Sequence, residues 1–408
     1  MRFGILLACL ALAAMACTVW ADTGAPSTAA RCPEELENPN LPHRTAPATC
    51  DPALLPQELR AVAPEGYVPP PVKGSRPEPP CELECPECAY LEAEPWPETD
   101  WEDVWNGGCN SDPNVFEMID LRYAQSRILT ICGTSGTYDY YGSTYRDTDW
   151  FEFEVTEPTT ITYCCTAEFP VYIFIIDGDA GCASPVILEQ AYGDTCETAC
   201  LEYEAAPGTY WFWVAPAVFS GVPPGAQYVA TIEGLLPEWC AVDCPFGALE
   251  SDEPMCCHDY EDHWDGGCNS DPYVFWELGP SGDEILLCGT SGVYPYMGSS
   301  YRDTDWFEIV LDEPREVSVT CVGEFPLQLL LVYGTEGCPG NYVMYSAMAD
   351  PCMEANITEV LPPGVYWIWV GPQYWDPIGC GWRYIFSVEG YTTPVESLSW
   401  GTIKGLYR

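Results

Sequence analysis

The chain has 408 residues, of which 62 are acidic and only 14 are Lys or Arg, giving a formal net charge of −48 at pH 7. A surface this acidic repels phosphate backbones and anionic lipids, which excludes nucleic acid as a partner. The 24 cysteines are hard to keep harmless in a reducing cytosol, whereas an exported chain pairs them as disulfides.

Residues 1–21 have the pattern of a signal peptide. An apolar, Ala-rich run covers residues 3–16, and Val19-Trp20-Ala21 is a small-residue cleavage pattern. The run is too short to span a bilayer comfortably, and no later stretch is longer, so we expect no transmembrane segment. The sequence therefore predicts a secreted or cell-surface protein. A lipid anchor on Cys17 is the alternative, although the three residues before it form a poor lipobox.

Residues 22–80 are rich in Pro, Ala and Glu and show no sustained apolar period. This composition predicts an extended, disordered linker. Cys32 and Cys50 could close one local loop within it. With Cys9 and Cys17 set aside in the signal peptide, the number of cysteines is even, which suits full pairing.

After the linker the sequence repeats itself. Asn-Gly-Gly-Cys-Asn-Ser-Asp-Pro at 106–113 returns at 265–272 with Asp in the first place, and residues 145–152 return unchanged at 301–308, an offset of 156. The repeat predicts two homologous modules, residues 81–236 and residues 240–391.

Within each module the apolar residues alternate over short segments bounded by Gly, Pro, Asp and Thr, as at 150–155 and 159–163. Period two with frequent turns indicates a β-sandwich. Residues 171–176 and 327–332 are apolar on almost every position, so we expect central strands there. The predicted fold is all-β, with two tandem disulfide-rich, jelly-roll-like β-sandwiches.

Three motifs follow one another in both modules. Asp-Thr-Asp-Trp-Phe at 147–151, the apolar strand at 171–176 and Pro-Gly-Thr-Tyr-Trp-Phe-Trp-Val at 207–214 correspond to 303–307, 327–332 and 363–370. In this order they resemble the bacterial pre-peptidase C-terminal domain, over roughly residues 145–234 and 301–390. The resemblance implies a small jelly-roll-like sandwich found beside secreted hydrolases, a family whose partners vary. The cysteine-rich leading segment of each module is not part of that pattern.

The cysteines are divided evenly between the modules, so each module could close its own pairs and fold independently. Positions shared by both copies suggest specific pairs, although sequence alone leaves the connectivity open. The predicted pairs are Cys109 with Cys132, Cys182 with Cys196, Cys268 with Cys288, Cys338 with Cys352, and Cys321 with Cys380.

A recurring set of aspartates offers the hard oxygen ligands that calcium needs. The set consists of Asp112, Asp147 and Asp149 in the first module and Asp271, Asp303 and Asp305 in the second. The alternative is that these side chains cap turns by accepting backbone N–H bonds.

Tryptophans also recur, on alternate positions of predicted strands. If Tyr210, Phe212 and Val214 face the core, Trp211 and Trp213 lie on the other face of the strand. An outward tryptophan can stack on a sugar ring, so we expect ligand-binding residues at Trp150, Trp211, Trp213, Trp306, Trp367 and Trp369. The alternative is that they pack under loops or between the modules.

None of the three histidines recurs at the equivalent place in the other module, so a histidine-based catalytic site lacks its parts. The sequence favours a secreted, non-catalytic binding or surface-display protein for carbohydrate or another cell-surface polymer. Its alternative is a structural envelope component stabilised by disulfides and calcium, and a hydrolase is a distant third.

Residues 392–408 carry a local cluster of positive charge and suggest a sorting tag, the alternative being a last strand of the second module.

Overall fold

The computed structural model describes residues 43–45, 55–68, 81–92, 94–95, 103–257, 260–279, 284–375 and 378–391. The predicted signal peptide, the Cys17 anchor, the loop between Cys32 and Cys50 and the C-terminal tag lie outside these residues. Among the described residues no helix is long and apolar enough to cross a membrane. Helical structure there is limited to 3₁₀ turns at Gln57–Leu59, Leu121–Tyr123 and Cys338–Gly340.

Module 1 contains two packed sheets and a hairpin. Its strands are β1 (His43–Thr45), β2 (Tyr90–Leu91), β3 (Val115–Met118), β4 (Leu129–Ser135), β5 (Thr137–Tyr140), β6 (Ser143–Arg146), β7 (Asp149–Val155), β8 (Thr159–Ala167), β9 (Val171–Asp177), β10 (Val186–Gly193), β11 (Thr198–Ala205), β12 (Gly208–Pro216) and β13 (Ala226–Glu233). The sheets have the orders β1-β3-β7-β12-β9-β10 and β11-β8-β13-β4-β2, and β5 pairs with β6.

Module 2 repeats this arrangement. Its strands are β14 (Leu249–Glu250), β15 (Trp276–Glu277), β16 (Glu284–Ser291), β17 (Val293–Tyr296), β18 (Ser299–Arg302), β19 (Asp305–Leu311), β20 (Arg315–Gly323), β21 (Leu327–Tyr333), β22 (Tyr342–Ala349), β23 (Glu354–Leu361), β24 (Gly364–Pro372) and β25 (Trp382–Glu389). The sheets have the orders β14-β16-β25-β20-β23 and β15-β19-β24-β21-β22, and β17 pairs with β18. The all-β, two-sandwich fold is confirmed.

The core follows from the period-two alternation in the sequence. Along β8 every second residue from Ile161 to Ala167 is buried, and β12 sends Tyr210, Phe212 and Val214 into the space between the two sheets. Strand β9, apolar on both faces, lies between β12 and β10 and buries residues on both faces. Its central place is as predicted, because a strand covered on both sides needs no polar face.

The outer face of the first sheet in module 1 is covered by residues 55–68, which we call the covering segment. Leu55 and Leu59 are buried against Phe116, Trp150 and Trp213. The segment also continues the sheet of β6, since Arg146 donates its backbone N–H to Ala61 and Ala63 donates to Thr144, both at 2.9 Å. The prediction of a disordered linker over 22–80 is therefore wrong for residues 55–68.

The covering segment also buries a guanidinium. Arg146 donates from Nε to the carbonyl of Arg60 at 3.0 Å and from Nη1 to that of Pro216 at 2.8 Å, and Nη2 donates to Glu58. The same group stacks on Trp213 and Phe219, 5.0 and 4.3 Å from the ring centres. Together these contacts satisfy a cation that is only 1% exposed.

All eight cysteines singled out from the repeat form disulfides, but the predicted pairs are wrong. Three bonds recur in both modules, one adds to each module, and one joins the modules. The bonds are Cys81–Cys196, Cys85–Cys132, Cys109–Cys182, Cys164–Cys200, Cys240–Cys352, Cys244–Cys288, Cys268–Cys338, Cys256–Cys380 and Cys88–Cys257. The recurring bonds run from each leading segment to its sandwich, because that segment packs across the sheets rather than onto itself.

Cys321 does not pair with Cys380. It is a buried free thiol, as is Cys165 at the equivalent position of module 1. Both point into the sandwich core, where burial raises the pKa of each thiol.

The modules are joined by more than the short connection between them. Besides the disulfide Cys88–Cys257, Ser126 donates its backbone N–H to Cys380, and Cys380 donates to Ala124, both at 2.9 Å. Gln125 adds a side-chain bond to the carbonyl of Cys256 at 3.2 Å. The expectation that each module closes all of its own cysteine pairs is therefore wrong.

Candidate metal centres

Module 1 gathers five carboxylates where its leading segment crosses the start of β7. Glu92, Glu94 and Asp103 come from the leading segment, while Asp147 and Asp149 come from the Asp-Thr-Asp turn before β7. They form two groups of three, each with ligand atoms within 4.8 Å of one another. Glu94 belongs to both groups. Asp149 and Glu92 complete one, and Asp103 and Asp147 complete the other.

Module 2 builds the same arrangement from its own residues. Glu253 is shared by two groups, one completed by Asp265 and Asp305 and the other by Asp262 and Asp303. Each again has its ligand atoms within 4.8 Å.

One carboxylate is supplied from a different position in the two modules. Glu92 of module 1 corresponds to Ser251 of module 2, and Asn106 corresponds to Asp265. In module 1 the Asn106 amide donates to Glu92, whereas in module 2 Asp265 takes the place of both. The number of carboxylates is therefore the same in both centres although their origin differs.

Many of these oxygens are buried without a hydrogen-bond donor. This holds for both oxygens of Glu94 and Asp149, for both oxygens of Asp265, and for one oxygen each of Asp147, Asp303 and Asp305. Asp149 and Asp305 are both 0% exposed. None of the ion pairs between described residues involves these acids. A buried carboxylate without donor or counter-ion is unfavourable, so the centres call for a positive charge.

The raised pKa values of the acids in these centres also indicate that the centres favour a bound cation. Burial, together with repulsion from Glu117, raises the pKa of Glu92 to about 8. Burial likewise raises the pKa of Asp265 to about 9, with repulsion from Glu253 and Asp262 adding to it. The pKa values of Asp147 and Asp303 are also raised by burial and by neighbouring acids. A divalent cation removes both causes, because it compensates the lost hydration and screens the repulsion.

The leading segment is shaped to present these acids. Asp103 accepts backbone N–H bonds from Trp105 and Asn106 on Oδ1, at 3.0 and 3.2 Å, which leaves Oδ2 turned into the centre. Asp262 does the same with Trp264 and Asp265, at 2.8 and 3.2 Å. Disulfides on both sides fix the segment, namely Cys85–Cys132 and Cys109–Cys182 in module 1 and Cys244–Cys288 and Cys268–Cys338 in module 2.

The structure brings together four of the six predicted aspartates. Asp147, Asp149, Asp303 and Asp305 lie in the centres, but Asp112 and Asp271 are exposed and belong to none of the four groups. In module 1 a serine closes this turn, since Ser111 accepts from the Val115 N–H at 3.1 Å and donates to Gly108 at 2.8 Å. The structure therefore places Asp112 and Asp271 outside the centres, and calcium binding by them stays a prediction.

Six ligands were not predicted: Glu92, Glu94, Asp103, Glu253, Asp262 and Asp265. The repeat held a signal for most of them. Extending the match backward from Gly-Gly-Cys aligns Glu94 with Glu253 and Asp103 with Asp262 at an offset of 159. Such an alignment hides the remaining ligand, because it is Glu92 in module 1 but Asp265, the counterpart of Asn106, in module 2.

The six tryptophans lie on the predicted face of their strands but are not available for ligand stacking. Trp150, Trp211 and Trp213 are 0%, 3% and 0% exposed and pack under the covering segment and Phe116. In module 2, Trp306, Trp367 and Trp369 are 7%, 3% and 4% exposed, and Phe275 stacks on Trp367 with ring centres 4.3 Å apart. The prediction of solvent-facing binding residues is wrong, and packing under neighbouring segments is what the structure shows.

Comparisons with known proteins give no family. No protein-family model matches this chain, and no curated protein matches it either. Among solved structures, the exported protein XepA of PBSX is 8% identical with a TM-score of 0.17, over 63% of this chain and 94% of that one. The CUB1-EGF-CUB2 domains of rat MASP-1 are 12% identical with a TM-score of 0.18, over 66% and 99%. The CBM22-1-CBM22-2 tandem of Paenibacillus barcinonensis Xyn10C is 8% identical with a TM-score of 0.17, over 66% and 91%. Likenesses this weak carry no argument about function.

The disulfides do bear on location. Nine bonds join described cysteines, and bonds in this number persist only in oxidising surroundings. They point to a protein that works outside the cytoplasm.

Proposed function

We propose that this is a secreted, non-catalytic structural or display protein whose two modules bind calcium, each in the carboxylate centre between its leading segment and its sandwich. The observation that carries the proposal is the pair of buried five-carboxylate centres, whose unpartnered oxygens recur in both modules. Bound ions would hold the leading segments in place and make the pair of sandwiches a rigid unit.

Calcium fits these donors better than other common cations. Every ligand that the described residues offer to the centres is a carboxylate oxygen, a hard donor, and none of them is the imidazole or thiolate that zinc and copper favour. The shared glutamates give room for two ions in each centre. Five ionised carboxylates keep three negative charges with one divalent ion and one negative charge with two.

Two sequence-based expectations remain proposals of a weaker kind. The relation to pre-peptidase C-terminal domains rests on motif order alone. The expectation of carbohydrate or polymer binding was based on exposed tryptophans, and these side chains are buried. A display role would therefore need another ligand surface.

The proposal predicts calcium-dependent stability. After chelation and dialysis, adding calcium to 100 times the dissociation constant should stabilise the chain by about 2.7 kcal/mol per site. Extracellular modules bind calcium with dissociation constants of about 10⁻⁴ to 10⁻³ M, so millimolar titrations by calorimetry and thermal unfolding cover the range.

Paired variants identify the ligands in this experiment. Asp147→Asn with Asp303→Asn should remove the response of one ligand group in each centre, whereas Asp112→Asn with Asp271→Asn should leave the response unchanged, because only the first pair lies in the centres. A stripped wild-type chain that neither binds calcium nor gains stability in 10 mM calcium, about ten times the weakest expected constant, would contradict the proposal.

A further inference from the structure

The face that carries the tryptophans is less fully covered in module 2 than in module 1. Phe219, beside Arg146, is 7% exposed, whereas its counterpart Trp375 is 55% exposed. Phe116 and Phe174 are buried, while their counterparts Phe275 and Leu330 are only half-buried. Among the described residues, no segment lies over module 2 as the covering segment lies over module 1.

Module 2 nevertheless has counterparts of the module 1 residues that contact the covering segment. Arg302 is the counterpart of Arg146 and stacks on Trp369 and Trp375 at 5.2 and 4.3 Å. Its Nη1 donates to the Pro372 carbonyl at 2.8 Å, as Arg146 does to Pro216. Its Nε, however, is buried without any acceptor, whereas the Nε of Arg146 donates to the covering segment.

A second polar side chain shows the same difference. Asn110 bonds the backbone of the covering segment twice, accepting from Ala61 at 3.0 Å and donating to Leu59 at 2.8 Å. Its counterpart Asn269 bonds only Thr304, at 2.9 Å, among its described partners. Both Arg302 and Asn269 therefore present groups suited to a polypeptide main chain.

The connection between the modules cannot supply that main chain. The covering segment lies 13 to 26 residues before Cys81, and the same distance before Cys240 covers the end of β12, the loop after it and the start of β13. Module 1 takes its cover from the chain in front of it, which leaves the stretch directly behind module 2 as the neighbouring candidate.

We infer that residues 392–408 of this chain cover this face of module 2, as β1 and the covering segment cover module 1. The last described residue, Tyr391, donates from its hydroxyl to the Leu278 carbonyl at 2.7 Å, directly beyond the end of β15. Strand β15 corresponds to β3, and its outer edge is the position that β1 occupies on β3. The chain that follows Tyr391 thus starts beside the outer edge of β15, which pairs with no other described strand.

The direction and length of this stretch also fit. Strand β1 runs antiparallel to β3 from Glu117 toward Val115, and a chain passing from Leu278 toward Phe275 runs the same way along β15. In module 1 the second anchoring leucine, Leu59, lies 16 residues after His43, and the residues after Tyr391 can span the same distance.

The composition of the stretch suits the surface as well. It carries Leu398, Trp400, Ile403 and Leu406, apolar side chains that could fill the role of Leu55 and Leu59. Lys404 and Arg408 would be attracted to a chain with a net charge of −48. Its main-chain carbonyls provide the acceptor that Arg302 Nε lacks.

Hydrogen exchange of the full chain and of a chain ending at Tyr391 tests the inference. The Arg146 amide is bonded to the covering segment, so its counterpart at Arg302 and the amides of β15 should exchange about tenfold more slowly in the full chain. A synthetic peptide of residues 392–408, added to the shortened chain, should restore that protection. The double variant Leu398→Ser/Trp400→Ser of the full chain should exchange like the shortened chain.

Three results would overturn the inference. Equal exchange in the full and shortened chains would show that these residues do not cover the face. Protection that grows with protein concentration would assign the face to a second copy. Mass spectrometry showing that the secreted protein lacks residues 392–408 would mean that they serve as a processed tag.

Discussion

The carboxylates of each centre lie against a glycine that gives them room. A Cβ atom built on Gly107 would overlap the carboxylate of Asp103, and one built on Gly266 would overlap that of Asp262. Neither position needs a left-handed backbone, so the absence of a side chain is the property that matters. These glycines belong to the repeated Gly-Gly-Cys motif, which places the acid and fixes the segment by its disulfide.

We therefore expect Gly266→Ala to weaken calcium binding in module 2. The added methyl group displaces Asp262 and removes one ligand, which should lower the affinity of its site by at least about tenfold, the effect of 1.4 kcal/mol. Calorimetric titration of the stripped protein measures this. Gly279→Ala is the control, since nothing lies within 4 Å of a Cβ there. Equal affinities for the two variants would mean that Asp262 is not a ligand.

Single residues also show where sequence analysis succeeded and where it could not. The Asp-Thr-Asp turns were identified because they recur unchanged and precede a strand. Glu94 and Asp103 were missed because they lie in a leading segment without regular structure, where no period indicates which way a side chain points. The burial of the tryptophans could not be predicted either. Alternation along a strand indicates which face a side chain is on, but not whether another segment covers that face.

At the scale of elements, the covering segment is the main departure from the sequence-based prediction. The stretch that contains it, rich in proline and without a sustained apolar period, is typical of a linker. Two leucines are nevertheless enough to anchor it, because the sandwich already offers an aromatic surface and because Arg146 and Asn110 bond its main chain. The covering segment is therefore ordered by its contacts with the sheet rather than by its own sequence pattern.

Removing one anchor should therefore destabilise module 1. Leu59 is 0% exposed, and Leu59→Ala should lower the free energy of unfolding by about 2 to 5 kcal/mol through the cavity it leaves. Val68→Ala, at a residue that is 81% exposed, should change it by less than about 0.5 kcal/mol. Chemical denaturation of both variants in calcium checks this, and equal effects would show that the segment adds no stability.

At the scale of the whole molecule, the two sandwiches behave as one body rather than as two independent units. The backbone bonds between Ser126, Ala124 and Cys380 and the disulfide Cys88–Cys257 link them at several points. The sequence predicted the repeat and hence the two sandwiches. It could not predict the link, because Cys88 has no counterpart in the second copy and a single cysteine does not reveal its partner.

This link should make unfolding cooperative. Differential scanning calorimetry of the wild-type chain should give one transition, and Cys88→Ser/Cys257→Ser should separate it into two, because each sandwich can then unfold without constraining the other. Cys164→Ser/Cys200→Ser removes a bond within one sheet and should lower the midpoint while keeping a single transition. A single transition in the Cys88→Ser/Cys257→Ser variant would mean that the hydrogen-bonded contact suffices.

The position of the intermodule disulfide has a mechanical consequence. Cys88 lies just before Glu92, and Cys257 just after Glu253, so the bond joins the two segments that carry the acids. A pulling force between the sandwiches would act on these segments through the disulfide, and calcium bound as proposed would resist it there before it reaches either core. Ion concentration outside the cell would then set the load at which the molecule begins to extend.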